Sequence, residues 1–542
     1  MDLSFKQMCE EFTPKMTPEI MKGYICHEMH DMESRVDSIL RKAFDGLFDG
    51  MLRYHGFDRC TPQEEFDFTT RPKNTRRTFE LAQSDIYLIR IKMTYGRDDQ
   101  PLPDIFMYLP FVRPGGLIHI GGPLFQLIPV VSDKVISPED KHLFVRLEQY
   151  KMKFYHDDSH AFVANDQPMF EKVCWSNIYK QKPGKKKLQS SRAQSTLVHY
   201  LLARMGFSQM FQAYAGFVPV VGTDKEINST NFSPDAWVVI RTAHDKVRPA
   251  TYTGSIYAPT NIRLAIPKEH WNDATKSLVN GFYYVVDNFP AQCSVEGIDH
   301  PDTWKLTLGY ILFSTAYTAG RILSLVEEHF LSSDTYMDDI SIQKLKEKGY
   351  IVNNFSDLLG LIATRYDELF KDGGNNQSVY GKYLDTLREV LYPITAAIFT
   401  TKYSLMKQAV KGIPQYGVIK DIFVRKFKPG PIFKLTSKGI VAEAVSYSGD
   451  HMYLKLTSRL SQQESTPGTR SSKGRKTLNE SHYLNTSMMM VGSILFLSKK
   501  KPVPLSHANP FMKIDLSTGT VLEDPRFKEV LAKADEMLSR KS

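Results

Sequence analysis

The strongest constraint on the fold is a change in hydrophobic periodicity along the chain, from short runs to long helical patterns and back. Between Phe79 and Ser137, short apolar and aromatic runs are broken by Gly and Pro, which is typical of strands and turns. Residues 303–410 carry the longer spacing of helices. Because neither pattern covers the whole chain, the sequence predicts a multidomain α+β fold.

Individual elements can be predicted from the same patterns. Helices are expected over residues 17–54 and in the runs LGYILFSTAYTAGRILSLVEEHFL, YGKYLDTLREVLYPITAAIF and DPRFKEVLAKADEML. Strands are expected in YLIRIKMTYG, DIFMYLPFV, GGLIHIGG, AWVVIR and FYYVVD. A chain of 542 residues has room for three or four domains.

Cysteine usage and the N-terminal sequence indicate the compartment. The five cysteines are widely spaced and never form a C-x-x-C pair, which argues against a disulfide framework and favours a reducing environment. The opening stretch MDLSFKQMCEEFTPKM has no apolar core of a secretory signal. Two uncharged runs, 306–320 and 481–498, fall short of the roughly 20 apolar residues that span a bilayer. We therefore expect no membrane partner.

Positive charge is concentrated in a few segments. Residues 455–501 contain nine Lys or Arg against two Glu, a net charge of +7. Smaller basic clusters lie at 180–192 and 420–428. Clustered positive charge attracts polyanions by neutralising phosphates, whereas a single cluster is as often a solvated surface loop. Three clusters favour a nucleic-acid-binding protein.

The glycines in the largest basic segment do not form a nucleotide-binding P-loop. That motif needs four residues between its glycines, followed directly by Lys and a hydroxyl residue. Here five residues separate Gly468 from Gly474, and Arg475 displaces Lys476 and Thr477 by one position. The spacing therefore excludes a phosphate loop of that type.

Four motifs in a fixed order resemble one family. They are the Gly115–Gly122 stretch (GGLIHIGG), Asp338-Asp339-Ile340, Lys402–Gly412 (KYSLMKQAVKG) and Arg459–Tyr483. In this order they resemble the N-terminal half of the β subunit of multisubunit RNA polymerases. The first is similar to the G-x-F-I-I-N-G hairpin of the family's protrusion domain. The last is similar to a basic strand that leads through a Gly-rich loop to an H-x-S/T-H-W/Y-G motif.

The resemblance implies a division into three domains. Residues 1–140 and 336–420 correspond to a discontinuous protrusion-like domain, 141–335 to a lobe-like domain, and 421–542 to a mostly β, fork-like region with a basic loop. The chain ends before the later part of β. Such a split subunit resembles the RNA polymerases of giant, nucleus-forming bacteriophages, whose β and β′ are each divided into separate polypeptides.

The resemblance also implies a function. The chain is expected to be a non-catalytic N-terminal β fragment of a DNA-directed RNA polymerase, inactive alone, which forms part of the wall around DNA and the RNA–DNA hybrid. No N-A-D-F-D-G-D-like triad occurs, so catalytic Mg²⁺ is expected on a β′ partner and no cofactor on this chain. Nucleic-acid contacts are expected from Arg459, Ser461, Arg470, Lys473, Arg475, Lys476 and His482.

Expected partners are a C-terminal β fragment, β′ fragments, a promoter-specificity subunit, DNA and nascent RNA. The expected location is the cytoplasm of the infected bacterial host, with packaging in a virion or a phage nucleus left open. After His482 the chain departs from the family, because the E-T-P-E-G-like loop is missing. The alternative function is a phage DNA-binding accessory, a promoter-recognition subunit or a structural nucleic-acid-binding protein.

Two further groups of residues could suggest metal sites. Asp338-Asp339 is the only adjacent acidic pair that suggests metal chemistry, but a helix start or hydrogen-bonding role is favoured, since no third acid completes the group. The clusters CHEMH (Cys26, His27, His30) and HDDSH (His156, His160) contain ligand types without an identifiable distant partner. We therefore predict no metal site on this chain.

Overall fold

The computed structural model describes a large part of the chain. The described residues are 32–70, 84–111, 117–127, 130–132, 134–139, 142–147, 150–176, 195–243, 248–249, 256–257, 262–289, 292–313, 317–334, 336–372, 378–385, 388–409, 412–427, 442–444, 459–462, 487, 505–507, 512–515, 519–523, 525 and 529. They form helices and mainly antiparallel sheets, which confirms the predicted α+β class. None of the described helices is long and apolar enough to cross a membrane.

The chain folds into two compact units. The first unit comprises residues 1–134 and 375–542, and the second comprises 135–374. In sequence, the second unit is thus an insertion into the first. Residues 339–372, part of the predicted protrusion-like segment, pack in the second unit. The assignment of protrusion-like, lobe-like and fork-like domains stays a prediction.

The first unit begins with an amphipathic helix on an antiparallel sheet. Its elements up to residue 132 are α1 (Met32–Phe44), the left-handed turn α2 (Leu47–Gly50), α3 (Pro62–Thr70), β1 (Leu52–Arg59), β2 (Ile86–Tyr95), β3 (Gln100–Pro101), β4 (Ile105–Pro110), β5 (Leu117–His119), β6 (Leu124–Leu127) and β7 (Val130–Ser132). Strand β2 pairs with β1, β3 and β4. Val36 and Leu40 are fully buried, because residues four apart share one helix face.

The second unit is built on a seven-stranded antiparallel sheet. Its strands are β8 (Ile136–Glu139), β9 (His142–Arg146), β10 (Lys151–Ala164), β11 (Gln167–Ser176), β12 (Val220–Gly222), β13 (Trp237–Thr242) and β16 (Arg263–Pro267), with β14 (Arg248–Pro249) and β15 (Ile256–Tyr257) as a separate pair. The order is β12-β16-β13-β10-β9-β8, and β11 pairs with β10. The long β10–β11 hairpin turns at Asn165 and Asp166, both at positive φ.

In the part of the second unit that the structure describes, seven helices accompany this sheet. They are α4 (Leu197–Met205), α5 (Phe207–Ala215), α6 (Asp273–Asn288), α7 (Pro301–Leu312), α8 (Ala319–Asp334), α9 (Asp339–Glu347) and α10 (Phe355–Asp372), with a 3-10 turn at Lys268–His270. Tyr283 of α6 is completely buried and donates a hydrogen bond to the Ile240 carbonyl of β13 at 2.9 Å. The helices and the sheet therefore share one core.

The residues after the insertion complete the first unit. They form β17 (Tyr383–Asp385), α11 (Arg388–Ala409), α12 (Tyr416–Lys426), β18 (Ala442–Ala444), β19 (Arg459–Gln462), β20 (Leu505–His507), β21 (Lys513–Ile514) and β22 (Val521–Leu522). Phe44 of α1 packs edge-on against Phe423 and Phe427, with ring centroids 5.3 and 5.8 Å apart. The two sequence-distant parts of this unit thus share a core.

Some predicted elements are wrong. FYYVVD lies inside helix α6 rather than in a strand. The side chain of Asn272 accepts a hydrogen bond from the Thr275 N–H at 3.0 Å and caps this helix. Strand propensity of aromatic and β-branched residues is a weak preference that burial in a helix overrides. Tyr383–Asp385 is a strand, so the helix predicted from residue 380 begins only at Arg388.

Helix packing in the second unit depends on glycine at close contacts. A Cβ placed on Gly309 of α7 would clash with Cγ2 of Ile322 on α8, and it would also press on Val326. Ile322 and Val326 are fully buried and β-branched, so they have little freedom to move away. Gly320, at the start of α8, has open space around it.

We expect Gly309→Ala to lower the free energy of unfolding by about 1–3 kcal/mol, the usual cost of overpacking a core. Gly320→Ala is the matched control, and it should be neutral or stabilise by up to about 1 kcal/mol, because alanine favours the helix. Urea denaturation followed by circular dichroism measures both. Equal effects of the two substitutions would contradict the close contact at Gly309.

A buried histidine joins two helices of the second unit. His199 of α4 is 1% exposed, and its Nδ1 and Nε2 lie 2.7 and 2.8 Å from the hydroxyls of Ser195 and Thr307. Burial lowers the pKa of His199 to about 3. Burial likewise lowers the pKa of His329 to about 4. Both rings are therefore neutral in the folded unit.

We expect the second unit to lose stability as the pH falls below about 6.5, the pKa of an unfolded histidine. Between that value and about 3, His199 binds a proton in the unfolded chain but stays neutral in the folded chain, so unfolding becomes more favourable. From about pH 7.5 to 5.5 the loss should be on the order of 1 kcal/mol per histidine. Denaturation at several pH values measures it, and His199→Gln should reduce the pH dependence by roughly half.

Candidate nucleic-acid interface

A four-stranded sheet in the first unit brings distant parts of the chain together. Its order is β17-β7-β19-β20. Strands β7 and β19 are parallel, with Gln462 opposite Val131. Strands β7 and β17 are antiparallel, with Tyr383 opposite Ser132. The last residues of β7 and β19 and the first residue of β17 therefore lie at the same end of the sheet.

Two lysines lie at this end. Lys134 follows β7, and Lys382 directly precedes β17. Burial lowers the pKa of Lys134, and the positive charge of Lys382 lowers it further. Lys134 packs against Gly381, where a Cβ would lie 3.0 Å from the lysine Cε. The charges of Lys134 and Lys382 are thus close enough to interact. We call this end of the sheet, with Lys134 and Lys382, the basic end.

Residues 463–486, the middle part of the basic segment 455–501, begin and end next to described residues of the basic end. They leave β19 after Gln462, and Ser487, which is buried, lies at their other limit. The Ser487 Oγ accepts a hydrogen bond from the Val379 N–H at 2.9 Å. The Val379 carbonyl accepts one from the Lys382 N–H at 3.1 Å, which ties Ser487 to the turn that carries Lys382. Residues 463–486 therefore connect two points at one end of the sheet.

Two of the predicted site residues lie in the described part of the chain. Arg459 and Ser461 are in strand β19. Their backbones pair with His507 and Leu505 of β20. The other predicted site residues lie outside the described residues: Arg470, Lys473, Arg475, Lys476 and His482. The contacts of all seven with nucleic acid stay a prediction.

Lys134 and Lys382 cannot be found by reading the sequence. Each lies in a stretch without a run of basic residues, and the inserted second unit separates the two in the chain. The pairing of β7 with β17 brings them together. The closest indication in the sequence is the positive charge of the segment after β19. That charge does not show where the two ends of the segment lie in the fold.

The glycine hairpin of the first unit is held by two side chains. The Asp85 carboxylate accepts a hydrogen bond from the His119 N–H at 2.7 Å and lies 3.1 Å from Nδ1 of the same residue. The Ser84 hydroxyl accepts one from the Gly121 N–H at 2.9 Å. Gly121 and Gly122 have φ values of 63° and 103°, which favour glycine. These contacts fix the turn between β5 and β6.

Asp338 starts a helix, as the sequence indicates. Its carboxylate accepts a hydrogen bond from the Ser341 N–H at 2.6 Å and one from the Ser341 hydroxyl at 2.8 Å. This is the geometry of an N-cap, which satisfies a backbone donor in the first turn of α9. The Asp338 carboxylate therefore has a structural function.

The histidines of the HDDSH cluster bind to different parts of the second unit. His156 lies 3.2 Å from the Asp367 carboxylate of α10. His160 lies 3.0 Å from the Asp287 carboxylate of α6. Within the described residues, no group of three His, Cys, Asp or Glu side chains is arranged to hold a metal ion. Cys26, His27 and His30 lie outside the described residues.

The chain is similar to a family of known proteins. Residues 7–536 match a protein family described as "Non-virion RNA polymerase subunit". The match covers nearly the whole chain and thus includes both units. No curated protein matches the sequence.

We expect the double substitution Lys134→Gln, Lys382→Gln to weaken binding of the full chain to duplex DNA and to reduce its salt dependence. Each lost phosphate contact lowers the slope of log affinity against log salt by about 0.9, so the slope should fall by about 2. Lys225→Gln with Lys346→Gln, two exposed lysines of the second unit, is the charge-matched control. Equal effects of both pairs would refute a role for the basic end.

Proposed function

The chain belongs to the family of non-virion RNA polymerase subunits, and we propose that within this enzyme it is the non-catalytic N-terminal β fragment. As a subunit of an RNA polymerase, it works with other polymerase subunits in a nucleotidyltransferase complex. In our proposal it lines the cleft that holds DNA and the RNA–DNA hybrid. The observation that carries this proposal is the arrangement of the basic end, where Lys134, Lys382 and both limits of residues 463–486 meet.

The basic end suits contacts with phosphates. A polymerase must hold every sequence that it transcribes, so the wall of its cleft needs contacts with the nucleic-acid backbone rather than with base edges. Lys134 and Lys382 would bind phosphate oxygens as cations. The cations of residues 463–486 would add to them: Arg470, Lys473, Arg475 and Lys476. Arg459, Ser461 and His482 complete the proposed interface.

The described parts of the four motifs support the β assignment. The first motif contributes the strand and tight turn of a hairpin, Leu117–Gly122, as the resemblance requires. The second begins a helix at Asp338. The third lies in helix α11 up to Ala409, and the fourth starts with strand β19. Each motif thus has a secondary structure compatible with its proposed counterpart.

Catalysis is assigned to partner chains. Nucleotidyl transfer by two metal ions needs clustered carboxylates that hold the metals against the RNA end and the triphosphate. We propose that a β′ fragment supplies them and that Mg²⁺ binds there. The present chain would position the backbone of DNA and RNA, which fixes the hybrid without chemical participation.

The proposed partners are a C-terminal β fragment, β′ fragments and a promoter-specificity subunit, together with DNA and nascent RNA. The proposed location is the cytoplasm of an infected bacterium. These assignments follow from the resemblance to split bacteriophage polymerases, and family membership supports them by requiring further polymerase subunits.

Reconstitution of the enzyme with and without this chain tests the proposal. Two templates are used: a preassembled RNA–DNA hybrid scaffold, which needs no promoter, and a promoter-bearing duplex. We expect RNA synthesis to be lost on both templates when the chain is omitted, since a cleft wall is needed for every elongation step. The Lys134→Gln, Lys382→Gln chain should restore assembly but give RNA release at lower salt than the native chain.

Other outcomes of this experiment contradict the proposal in distinct ways. Loss of synthesis on the promoter template alone would identify a promoter-recognition subunit. Full synthesis on both templates without the chain would identify a structural or accessory protein. The control chain with Lys225→Gln and Lys346→Gln should behave as the native chain on both templates.

A further inference from the structure

The second unit is inserted between two paired strands of the first unit. Ser132, the last residue of β7, lies directly opposite Tyr383, the first residue of β17. About 250 residues separate these two positions in the sequence, and nearly all of them belong to the second unit. The rest, about ten residues on the two sides together, belong to the first unit. The pairing of β7 with β17 therefore closes a very long loop of the chain.

The second unit joins its own beginning and end. Val135, its first residue, and Leu369 of its last helix, α10, are buried in the same hydrophobic core. The Tyr366 hydroxyl of α10 accepts a hydrogen bond from the Leu143 N–H of β9 at 3.1 Å. The same hydroxyl donates one to the Phe154 carbonyl of β10 at 3.0 Å. When this unit is folded, its first strands and its last helix are thus held together by its own contacts.

Each unit has its own hydrophobic core. Among the described residues, the core of the second unit is formed by residues between 135 and 369. The core of the first unit is formed by residues of 32–125 and 394–427. Because each core is built from one unit, we expect that one core can lose its packing while the other keeps it.

Chain entropy nevertheless couples the two units. The equilibrium for closing a flexible loop becomes less favourable with about the 3/2 power of the loop length. If the second unit is unfolded, the pairing of β7 with β17 must order a loop of about 250 residues. If it is folded, only the connections of about ten residues remain flexible, so that the pairing becomes about a hundredfold more favourable.

We propose that the folded second unit stabilises the basic end through the chain itself. By holding its own beginning and end together, it favours the pairing of β7 with β17, and this pairing brings Lys134 next to Lys382. The coupling is reciprocal, so the closed sheet stabilises the second unit by the same factor. Its consequence for nucleic acid rests on the proposed function, since unfolding of the second unit would loosen the phosphate-binding end of the sheet.

Hydrogen–deuterium exchange of the full chain, followed by mass spectrometry of its peptides, tests the coupling. Trp304→Ala combined with Gly309→Ala removes a completely buried ring and overpacks the contact of α7 with α8, so it destabilises the second unit. The variant and the native chain are compared at a urea concentration that unfolds this unit in the variant alone. We expect peptides with β7 and β17 to exchange about a hundredfold faster in the variant. Peptides of α1 and β2 should keep their protection.

The control for this comparison is Ile351→Ala, which truncates a side chain of the second unit that is 85% exposed. It should change the exchange of neither unit, because no core packing is lost. Unchanged exchange of β7 and β17 in the double variant would overturn the proposal. Loss of protection throughout the first unit would overturn it as well, since the two cores would then unfold together.

A second variant tests the coupling while both units stay folded. A flexible Gly-Ser insertion of about 20 residues after Gly374 lengthens the connections from about ten to about thirty residues. Exchange of β7 and β17 should then rise about fivefold. The same insertion after Ser229, in an exposed loop inside the second unit, is the matched control. It should leave the exchange of β7 and β17 unchanged, because the ends of the unit stay together.

Equal effects of the two insertions would refute coupling through the chain. Failure of this inference can be distinguished from failure of the proposed function. Binding of the native chain and of the Lys134→Gln, Lys382→Gln chain to duplex DNA tests the basic end without any change in the second unit. Normal exchange effects without a role of the two lysines in binding would support the coupling and contradict the proposed interface.

Discussion

The pairing of β7 with β19 is the contact on which the organisation of the first unit depends. Strand β7 has only three residues, yet it pairs with β17 on one side and β19 on the other. Both partners follow the inserted second unit in sequence, so closing this contact costs the entropy of a very long loop. The buried side chains of Val131, Tyr383 and Leu384 help to offset that cost. The basic end exists because both pairings form: β7 with β17 brings Lys134 and Lys382 together, and β7 with β19 places the start of residues 463–486 beside them.

The backbone around the basic end is fixed by hydrogen bonds from the last part of the chain. The Val521 N–H donates to the Lys382 carbonyl at 2.7 Å, and the Leu384 N–H donates to the Gly519 carbonyl at 2.8 Å. These bonds hold β17 in place independently of the lysine side chains.

Two buried contacts hold the helices of the second unit. His199 of α4 lies within hydrogen-bond distance of the Ser195 and Thr307 hydroxyls, and Gly309 of α7 allows the close approach of Ile322 on α8.

The sequence by itself determined the fold class, a strand in YLIRIKMTYG and the helix start at Asp338, because periodicity and capping are local properties. Of the helix predicted over 17–54, Met32–Phe44 is helical, whereas Leu52–Arg59 is a strand. It also located the basic segments. The order of four motifs supported a resemblance to an RNA polymerase subunit. Tertiary structure alone decided that FYYVVD is helical and that Lys134 meets Lys382. It also decided that His142, Tyr155 and Trp175 stack across β9, β10 and β11. These features depend on strand register and burial between residues far apart in the chain, which no local pattern encodes.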